Sequence, residues 1–463
     1  MQIYNTMTRR KEELVPIEEG TVKIYCCGPT VYNLIHIGNA RALCVFDTLR
    51  RYLEFRGYKV LYVQNFTDVD DKIIRKANEL GKTSSEVSEN AIKEYFTDAE
   101  GLNVCRADIH PKVTENMGII IDIVKTLVDK GYAYQVDGDV YFDTSKFPEY
   151  GKLSHQPLDD LKAGARIEVG EKKRDPMDFA VWKAAKPGEP YWESPFGNGR
   201  PGWHIECSAM SRHYIGDTID IHGGGSDLIF PHHENEIAQS ECATGSPLAK
   251  IWMHNGMLNV DNKKMSKSAG NFFLVRDLSE KYGYEPIRFM LLSVHYRSQL
   301  NYTLEVIESC KAALARLYTC RDSIERVLAS AKDGDAKPQT LEDVKQARDG
   351  FVKAMEDDFN TADAIAAVFE LVRKINTALA DPEVTKGDVG AYRDEFTALT
   401  DVLGLLYNKN DDEIPAEVAE LIEQRKAARK AKDFALADEL RGKIAEMGYI
   451  VEETRQGTVV KKA

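Results

Sequence analysis

Hydrophobic and polar positions follow a strand-and-helix rhythm through the first part of the chain. The apolar run at 21–26 is typical of a buried strand, and in 41–55 the residues Leu43, Phe46 and Leu49 fall on one helical face. The same alternation continues through 58–64, 71–80 and 85–102. This rhythm predicts a parallel sheet with connecting helices, the first half of a nucleotide-binding α/β fold.

The pattern changes after residue 130, and we interpret 131–202 as an insertion. Residues 132–142 read as two strands around the turn dipeptide Asp137-Gly138, and a run rich in glycine, proline and charge follows. The α/β pattern then resumes, with strands predicted at 218–222 and 251–258 and a helix that begins near His232.

Beyond Arg276 the strand pattern disappears. Apolar spacings of three and four predict helices over 286–294, 303–330, 341–355, 362–379 and 389–406. The polar, proline-containing segments 333–338 and 408–415 predict a linker and a domain boundary. The helical stretch after Pro415 carries five basic residues, Arg425, Lys426, Arg429, Lys430 and Lys432. They predict a basic face that could bind along the phosphates of a nucleic acid; an ordinary solvated helix is the alternative.

Composition restricts the class of protein. The 463 residues are 43% hydrophobic, enough for about three domains with real cores. We expect a cytoplasmic protein with no membrane partner, because no stretch approaches the roughly 20 apolar residues of a membrane span. The eight cysteines form no Cys-x-x-Cys pair and are expected to be reduced thiols, some of them metal ligands. A net charge of -13 is a mild objection to RNA binding, which needs only a local basic surface.

Two short motifs indicate phosphate chemistry. The sequence Lys264-Met-Ser-Lys267-Ser places two ammonium groups three residues apart on a hydroxyl-rich loop, which suits the charge of a transferring phosphate. His36, Gly38 and Asn39 lie at a predicted helix start, where free NH groups and the helix dipole attract phosphate. Each motif alone has a structural alternative, a solvated turn or an ordinary helix start. The chain contains no Walker sequence, which disfavours P-loop chemistry.

A glycine run at 223–225 precedes Asp227 and follows a predicted strand. Glycine lets the backbone approach a ligand closely, and Asp227 is placed to accept a ribose hydroxyl. A tight turn is the alternative.

A further group of residues suits a zinc ion. His232 and Glu236 are four apart on a predicted helix and share a face, and two cysteines, Cys27 and Cys207, flank elements of the α/β core. The cysteines are about 180 positions apart, and a buried cysteine is more often a small core residue, so metal binding and core packing both remain open. The neighbours Cys26, His233 and Glu234 are alternative ligands.

Together the two phosphate motifs resemble the HIGH and KMSKS signatures of class I aminoacyl-tRNA synthetases, with Asn39 in place of the last histidine. Asparagine keeps a hydrogen-bond donor but cannot carry positive charge. From Ile3 to about Gly457 the chain resembles the cysteinyl-tRNA synthetases in particular. The matching segments are 27–32, 65–71, 202–210, 222–236, 264–271 and 357–361.

The resemblance implies an activity, a cofactor and a set of site residues. It implies ATP-dependent activation of L-cysteine to cysteinyl-adenylate and transfer to the 3′ end of tRNA(Cys), with Mg²⁺ accompanying ATP. It implies one zinc ion per chain, held by Cys27, Cys207, His232 and Glu236, to which the substrate thiolate adds, so that serine is rejected without proofreading. The implied catalytic residues are His36, Asn39, Lys264 and Lys267, the implied ATP-binding residues are His36, Gly38, Asp227 and Lys267, and the implied amino-acid pocket contains Thr67 and Trp203.

The resemblance also implies the domain organisation of a monomer. We expect a Rossmann-like catalytic domain in two halves, followed by a helical bundle and a small α+β anticodon-binding unit. The expected ranges are 1–130 and 203–260 for the catalytic halves, 131–202 for the connective insertion, 261–310 for the KMSKS loop and stem-contact region, 311–408 for the bundle and 414–463 for the anticodon-binding unit. The family usually ends with an aromatic residue shortly after Gly-Thr, whereas here Gly457-Thr458 precedes Val459–Ala463, so a role for that last strand is in doubt.

Two other functions remain open at this stage. A related ligase joins activated cysteine to the amine of a glucosaminyl-inositol, and the basic terminal unit favours tRNA over that acceptor. A catalytically dead RNA-binding paralogue is disfavoured because Lys264, Lys267 and the four zinc-type residues are intact.

Overall fold

The computed structural model describes residues 1–155, 172–265, 271–408, 416–454 and 457–462. The chain forms two compact units, Met1–Leu406 and Tyr407–Ala463. Most of the predicted boundary at 408–415 lies outside the described residues.

The strands of the described residues are β1 (Gln2–Asn5), β2 (Arg10–Glu13), β3 (Thr21–Cys26), β4 (Lys59–Gln64), β5 (Ala133–Val136), β6 (Asp139–Phe142), β7 (Phe179–Ala184), β8 (Gly199–Pro201), β9 (Ile219–Gly225), β10 (Ala249–Asn255), β11 (Leu258–Val260), β12 (Lys263–Lys264), β13 (Leu300–Tyr302), β14 (Tyr449–Thr454) and β15 (Gly457–Lys462). The α-helices are α1 (Ile37–Phe55), α2 (Asp71–Leu80), α3 (Ser84–Gly101), α4 (Met117–Asp129), α5 (Trp203–Tyr214), α6 (Glu234–Thr244), α7 (Val275–Tyr282), α8 (Tyr284–Leu292), α9 (Leu304–Leu328), α10 (Pro338–Glu356), α11 (Thr361–Leu379), α12 (Lys386–Leu403), α13 (Ala416–Lys430) and α14 (Phe434–Glu446).

The centre of the first unit is a four-stranded parallel sheet in the order β10-β9-β3-β4. Helix α1 connects β3 to β4, and α6 connects β9 to β10. The residues of the inner strands are largely buried, as expected of a sheet covered on both faces, and in β9 they include the polar residues Asp220 and His222. The predicted α/β fold with a parallel nucleotide-binding sheet is confirmed.

The segment between the two halves of this sheet contains a second, antiparallel sheet. Its strand order is β5-β6-β7-β8, and the Asp137-Gly138 turn joins the first two strands. Both turn residues have positive φ angles, 47° and 85°, as hairpin turns of this length require.

Four long helices, α9 to α12, follow the catalytic sheet. Each has a buried apolar stripe, and the α10–α11 pair packs closely. Among the described residues, no helix combines the length and the apolar character needed to cross a membrane.

The second unit pairs α13 with α14 and adds the β14–β15 hairpin. Its core contains Val418, Ile422, Ile444, Tyr449 and Val451. The prediction of a basic face is wrong for Arg425, which is 5% exposed; its position places it on the inner side of α13. Lys426, Arg429 and Lys432 are exposed.

The local predictions differ from the structure at three informative places. Helix α1 begins four residues before the predicted 41–55, because His36 and Asn39 form a capping box. The glycines at 223–225 are not a turn; they extend β9, where they pair with residues 253–255 of β10. The predicted strand at 251–258 is broken at Gly256, whose added Cβ would lie 2.4 Å from the Ser298 carbonyl oxygen.

Candidate active site and metal centre

The candidate site lies where the parallel strands end. Cys27 follows β3, Asn65 follows β4, Gly225 ends β9 and Asn255 ends β10. Carboxyl ends of parallel strands share one edge of a sheet, and ligands of open α/β sheets bind outside that edge. Residues from four distant parts of the sequence therefore meet in one cleft.

The cleft has a volume of about 470 Å³. One wall is formed by the segment 27–36 with the start of α1, and another by Asn255 to Leu258. Of the residues that the sequence predicts for the site, the described cleft lining contains Cys27, His36, Gly38, Asn39, Trp203 and Asp227.

Helix α1 directs its N-terminus into this cleft. The backbone NH of Asn39 donates to Nδ1 of His36, and the His36 NH donates to Oδ1 of Asn39, both at 3.2 Å. Since Nδ1 accepts this bond, the neutral imidazole carries its proton on Nε2, where it can donate to a ligand. An added Cβ on Gly38 would lie 2.9 Å from the His36 ring, so glycine is required for this close turn. The arrangement suits an anion.

The segment after the KMSKS motif is bound directly to the strand-like residues before α1. The Ile37 NH donates to the Phe273 carbonyl at 3.1 Å, and the Val275 NH donates to the Ile35 carbonyl at 3.0 Å. The Phe272 ring meets the His36 ring edge-on, with centroids 5.0 Å apart. Met265 of the KMSKS motif and Phe272, which follows the motif, therefore line the cleft beside the start of α1.

The two lysines of the KMSKS motif differ in what the structure describes of them. Lys264 belongs to β12 by its backbone, and Lys267 lies outside the described residues. The Met265 side chain lies next to the start of α1: its Cε would be 3.4 Å from a Cβ added to Gly38.

Four predicted zinc ligands converge below the cleft. Cys27, Cys207, His232 and Glu236 place one ligand atom each within 4.8 Å of the others. The Cys27 sulfur lies 3.6 Å from the Cys207 sulfur and 3.2 Å from Oε1 of Glu236, and Nε2 of His232 lies 3.0 Å from the same oxygen. Cys207, His232 and Glu236 are at most 3% exposed.

The pKa shifts in this cluster differ from one side chain to the next. The hydrogen bond from the Cys27 thiol lowers the pKa of Cys207 to about 6, although burial opposes this shift. Burial alone would raise the pKa of Glu236, but His222 and His232 hold it well below its usual range. Burial would lower the pKa of His232, and the Glu236 carboxylate raises it to about 10 instead. Burial raises the pKa of the Cys27 thiol well above its usual range. Cys27 and His232 would therefore release protons on binding a metal, and two sulfurs, an imidazole nitrogen and a carboxylate are a donor set that fits zinc.

Two of the three alternative ligands named from the sequence, Glu234 and Cys26, have other roles. Glu234 accepts hydrogen bonds from the backbone NH groups of Gly151, Leu153 and Ser154, which ties the insertion to α6. Cys26 is fully buried within β3, and burial raises the pKa of its thiol to about 12. His233 belongs to a second possible ligand group with Cys27, His222 and Glu236.

His222 is a site residue that the sequence analysis missed. It is fully buried, and its Nε2 lies 2.8 Å from Oε2 of Glu236, the carboxylate oxygen opposite the one that faces His232. Its ring stacks on Trp252 with centroids 4.4 Å apart. A histidine that holds a metal-binding carboxylate is a common outer partner of zinc sites. The strand 218–222 was predicted, but its partner lies 14 residues away and only the fold reveals it.

Trp203, Thr67 and Asp227 lie at different depths. The Trp203 ring is 38% exposed and lines the cleft beside the zinc-type cluster, with its centroid 4.3 Å from that of the His232 ring. Thr67 is 1% exposed and donates its hydroxyl proton to Glu206 at 2.8 Å. Thr67 is not among the described residues that line the cleft. Asp227 packs over Gly225, where an added Cβ would lie 2.3 Å from its Oδ1.

Family models match almost the whole chain. The tRNA synthetases class I (C) catalytic domain matches residues 13–312, the DALR domain matches 350–407, and the cysteinyl-tRNA ligase anticodon binding domain matches 411–460.

Full-length relatives and solved structures agree with these matches. The chain is 54% identical to a cysteine–tRNA ligase of Clostridioides difficile (strain 630), over 100% of both chains. It is 56% identical to a cysteine–tRNA ligase of Geobacillus thermodenitrificans (strain NG80-2), over 100% of this chain and 99% of that one.

At the level of fold it resembles Mycobacterium tuberculosis methionyl-tRNA synthetase in complex with methionyl-adenylate, with a TM-score of 0.58, 15% identity, and coverage of 83% and 89% of the two chains. It also resembles an Agrobacterium radiobacter K84 LeuRS in a ternary complex with tRNA and LeuAMS, with a TM-score of 0.59, 12% identity, and coverage of 85% of each chain.

Proposed function

Because the chain belongs to the cysteine–tRNA ligase family of class I aminoacyl-tRNA synthetases, we propose that it activates L-cysteine with ATP and selects it through a zinc-bound thiolate. The product of activation is cysteinyl-adenylate, which then acylates the 3′ end of tRNA(Cys).

The observation that carries the selectivity is the convergence of Cys27, Cys207, His232 and Glu236 beneath Trp203. These residues would hold one zinc ion. A zinc ion in this set would accept the thiolate of cysteine as a further ligand, whereas the hydroxyl of serine stays protonated at neutral pH and is a poor ligand. Cys27 also lines the cleft, so the cluster faces the space in which the substrate would lie.

In the first step, ATP would bind in the part of the cleft lined by His36, Met265 and Phe272. A carboxylate oxygen of cysteine attacks the α-phosphorus of ATP, and the bond from that phosphorus to the leaving pyrophosphate breaks. Nε2 of His36, the NH groups at the start of α1, and Lys264 and Lys267 stabilise the charge that develops on the phosphate oxygens. Magnesium accompanies the pyrophosphate. Asp227, at the opposite wall, binds the ribose of ATP.

The second step transfers the cysteinyl group. A hydroxyl of the terminal ribose of tRNA attacks the carbonyl carbon of the adenylate, and AMP leaves with the electron pair of the broken bond. We assign the proton transfer to groups of the substrates. The second unit of the chain, whose α14 begins at the exposed Phe434, would contact the tRNA near its anticodon.

Cysteine-dependent exchange of pyrophosphate into ATP, measured without tRNA, tests the first step. We expect exchange with the wild type, and loss of exchange at unchanged zinc content when Lys264 or Lys267 is replaced by alanine. Charging of tRNA(Cys) with labelled cysteine tests the second step. Exchange without charging would contradict the choice of tRNA as acceptor.

A further inference from the structure

Arg41 is a buried cation whose charged group contacts only backbone. It lies in α1, two residues after Asn39, and is 0% exposed. Its Nη1 donates to the carbonyls of Gly256 and Met257 at 2.8 and 2.9 Å. Its Nη2 donates to two further carbonyls, those of Ser298 at 2.6 Å and His295 at 3.3 Å.

Among the described residues, Arg41 forms no salt bridge. Within the described residues, no Asp or Glu oxygen lies within 4.0 Å of its guanidinium. Burial lowers the pKa of Arg41 to about 10, which still leaves it cationic at neutral pH. Arg288, which is equally buried, instead lies 2.6 Å from the Asp47 carboxylate. Buried charges in proteins are normally paired with an opposite charge. We therefore expect a bound anion to balance the charge of Arg41.

The carbonyls that Arg41 holds belong to a wall of the cleft. Gly256 and Met257 line the cleft together with Asn255 and Leu258, and Leu258 begins β11, the strand that precedes the KMSKS loop. The Gly256 NH donates to the Tyr296 carbonyl at 2.7 Å. This hydrogen bond holds the wall in contact with the segment 295–298. Carbonyl oxygens from both segments then face one another, and a cation between them offsets their repulsion.

We propose that Arg41 is a positioning residue for ATP, which fixes the Gly256–Met257 wall against the nucleoside and whose unpaired charge is balanced by the triphosphate of the bound substrate. The inference rests on the proposed function, since it takes ATP as the occupant of the cleft. Arg41 follows the start of α1 by less than two turns, so its charge adds to the anion-binding N-terminus of that helix.

Two substitutions separate the roles of geometry and charge. Arg41→Lys keeps the positive charge but loses the planar fork, and Arg41→Gln loses the charge. The binding of adenosine and of ATP to each protein is measured by calorimetry. We expect both variants to bind adenosine more weakly than the wild type, by roughly tenfold, because the wall is displaced. We expect Arg41→Gln to lose about a further tenfold for ATP alone, a loss that Arg41→Lys escapes.

Arg288→Lys and Arg288→Gln are the matched controls, since they alter an equally buried arginine that donates to Asp47 and to the Leu403 carbonyl, neither of which lines the cleft. We expect them to lower the unfolding temperature while both dissociation constants stay within about twofold of the wild type. The KM for cysteine in pyrophosphate exchange should stay within about twofold in the Arg41 variants, because the zinc-type cluster does not contact Arg41.

The outcomes are distinguishable. Equal losses of ATP and adenosine binding in both Arg41 variants would overturn the role of charge, and unchanged adenosine binding in Arg41→Lys would overturn the role of the wall. If Arg41→Gln does not fold, adenosine binding by Arg41→Lys still tests the role of the wall. The same nucleotide losses in the Arg288 variants would reduce Arg41 to a general stabiliser. A wild type that binds no ATP would instead contradict the proposed function.

Discussion

Asn39 has a structural role that its place in the signature does not reveal. Its side chain accepts a hydrogen bond from the His36 NH, and its own NH donates to the His36 ring. This capping box fixes both the start of α1 and the orientation of the imidazole. An asparagine at this position therefore orients the His36 ring without carrying charge itself.

Asn39→Asp separates capping from phosphate binding. The carboxylate still accepts the bond from His36 and suits the first turn of a helix, so the free energy of unfolding should stay within about 0.5 kcal/mol of the wild type. Its negative charge should repel the triphosphate and slow pyrophosphate exchange by at least about tenfold. Asn39→Ala should instead cost about 1 kcal/mol of stability through the lost cap. Wild-type exchange in Asn39→Asp would show that the phosphates lie elsewhere.

His222 determines the position of the Glu236 carboxylate in our account. His222→Phe keeps a ring to stack on Trp252 but removes the hydrogen bond to Glu236. We expect zinc affinity, measured by competition with a chromophoric chelator, to fall about 10- to 100-fold. The matched control is His213→Phe, at an exposed position on α5, which should leave zinc affinity unchanged. Unchanged zinc affinity in His222→Phe would argue against Glu236 as a ligand.

At the scale of elements, local sequence patterns predicted individual strands and helices but did not predict the contacts between distant segments. The strand at 21–26 and the helix at 71–80 occur as predicted, because apolar periodicity and caps are local. Pairing with β10 is what makes Gly223 part of a strand, and the carbonyls around Arg41 come from segments more than 200 positions away. Neither contact leaves a local pattern in the sequence. The zinc-type residues were identified through family resemblance, because spacing left the choice among neighbours open.

Phe434 is the most exposed large apolar side chain among the described residues of the second unit. It is 62% exposed at the first position of α14, next to the exposed Lys432. An aromatic ring beside basic residues suits stacking on an unpaired base, which is worth about 1–3 kcal/mol.

Phe434→Ala should therefore raise the KM for tRNA by roughly tenfold in aminoacylation, with pyrophosphate exchange unchanged. Leu436→Ala, a truncation of an apolar side chain that is 42% exposed on the same helix, is the control and should change the KM for tRNA by less than twofold. An equal effect of both substitutions would contradict stacking by Phe434.

At the scale of the whole first unit, one buried ion pair ties the catalytic sheet to the helical bundle. Arg288 of α8 lies 2.6 Å from Asp47 of α1 and donates to the Leu403 carbonyl at the end of α12 at 2.8 Å. Both charged side chains are fully buried. Burial would raise the pKa of Asp47, but Arg288 and Arg51 hold it below its usual value.

This pair should contribute to stability in a pH-dependent way. A carboxylate whose native pKa lies below its unfolded value of about 4 stabilises the fold above that pH and loses this contribution as pH falls through the native pKa. We expect Asp47→Asn to lower the free energy of urea unfolding at pH 7 by about 3–5 kcal/mol, since Arg288 and Arg51 lose the carboxylate that they share. The difference from the wild type should narrow below about pH 4.

Asp129→Asn removes an exposed partner of Lys125 and should cost at most about 0.5 kcal/mol at pH 7. A difference between Asp47→Asn and the wild type that stays constant with pH would contradict an ionised Asp47.

Selection of cysteine by metal is the central claim, and pyrophosphate exchange measured during stepwise removal of zinc tests it most directly. Exchange is followed with cysteine and with serine while a chelator lowers the zinc content of the wild-type protein. We expect cysteine-dependent exchange to fall in proportion to the zinc lost and to return when zinc is restored, with serine inactive throughout. A zinc-free protein that still activates cysteine and rejects serine would contradict the account.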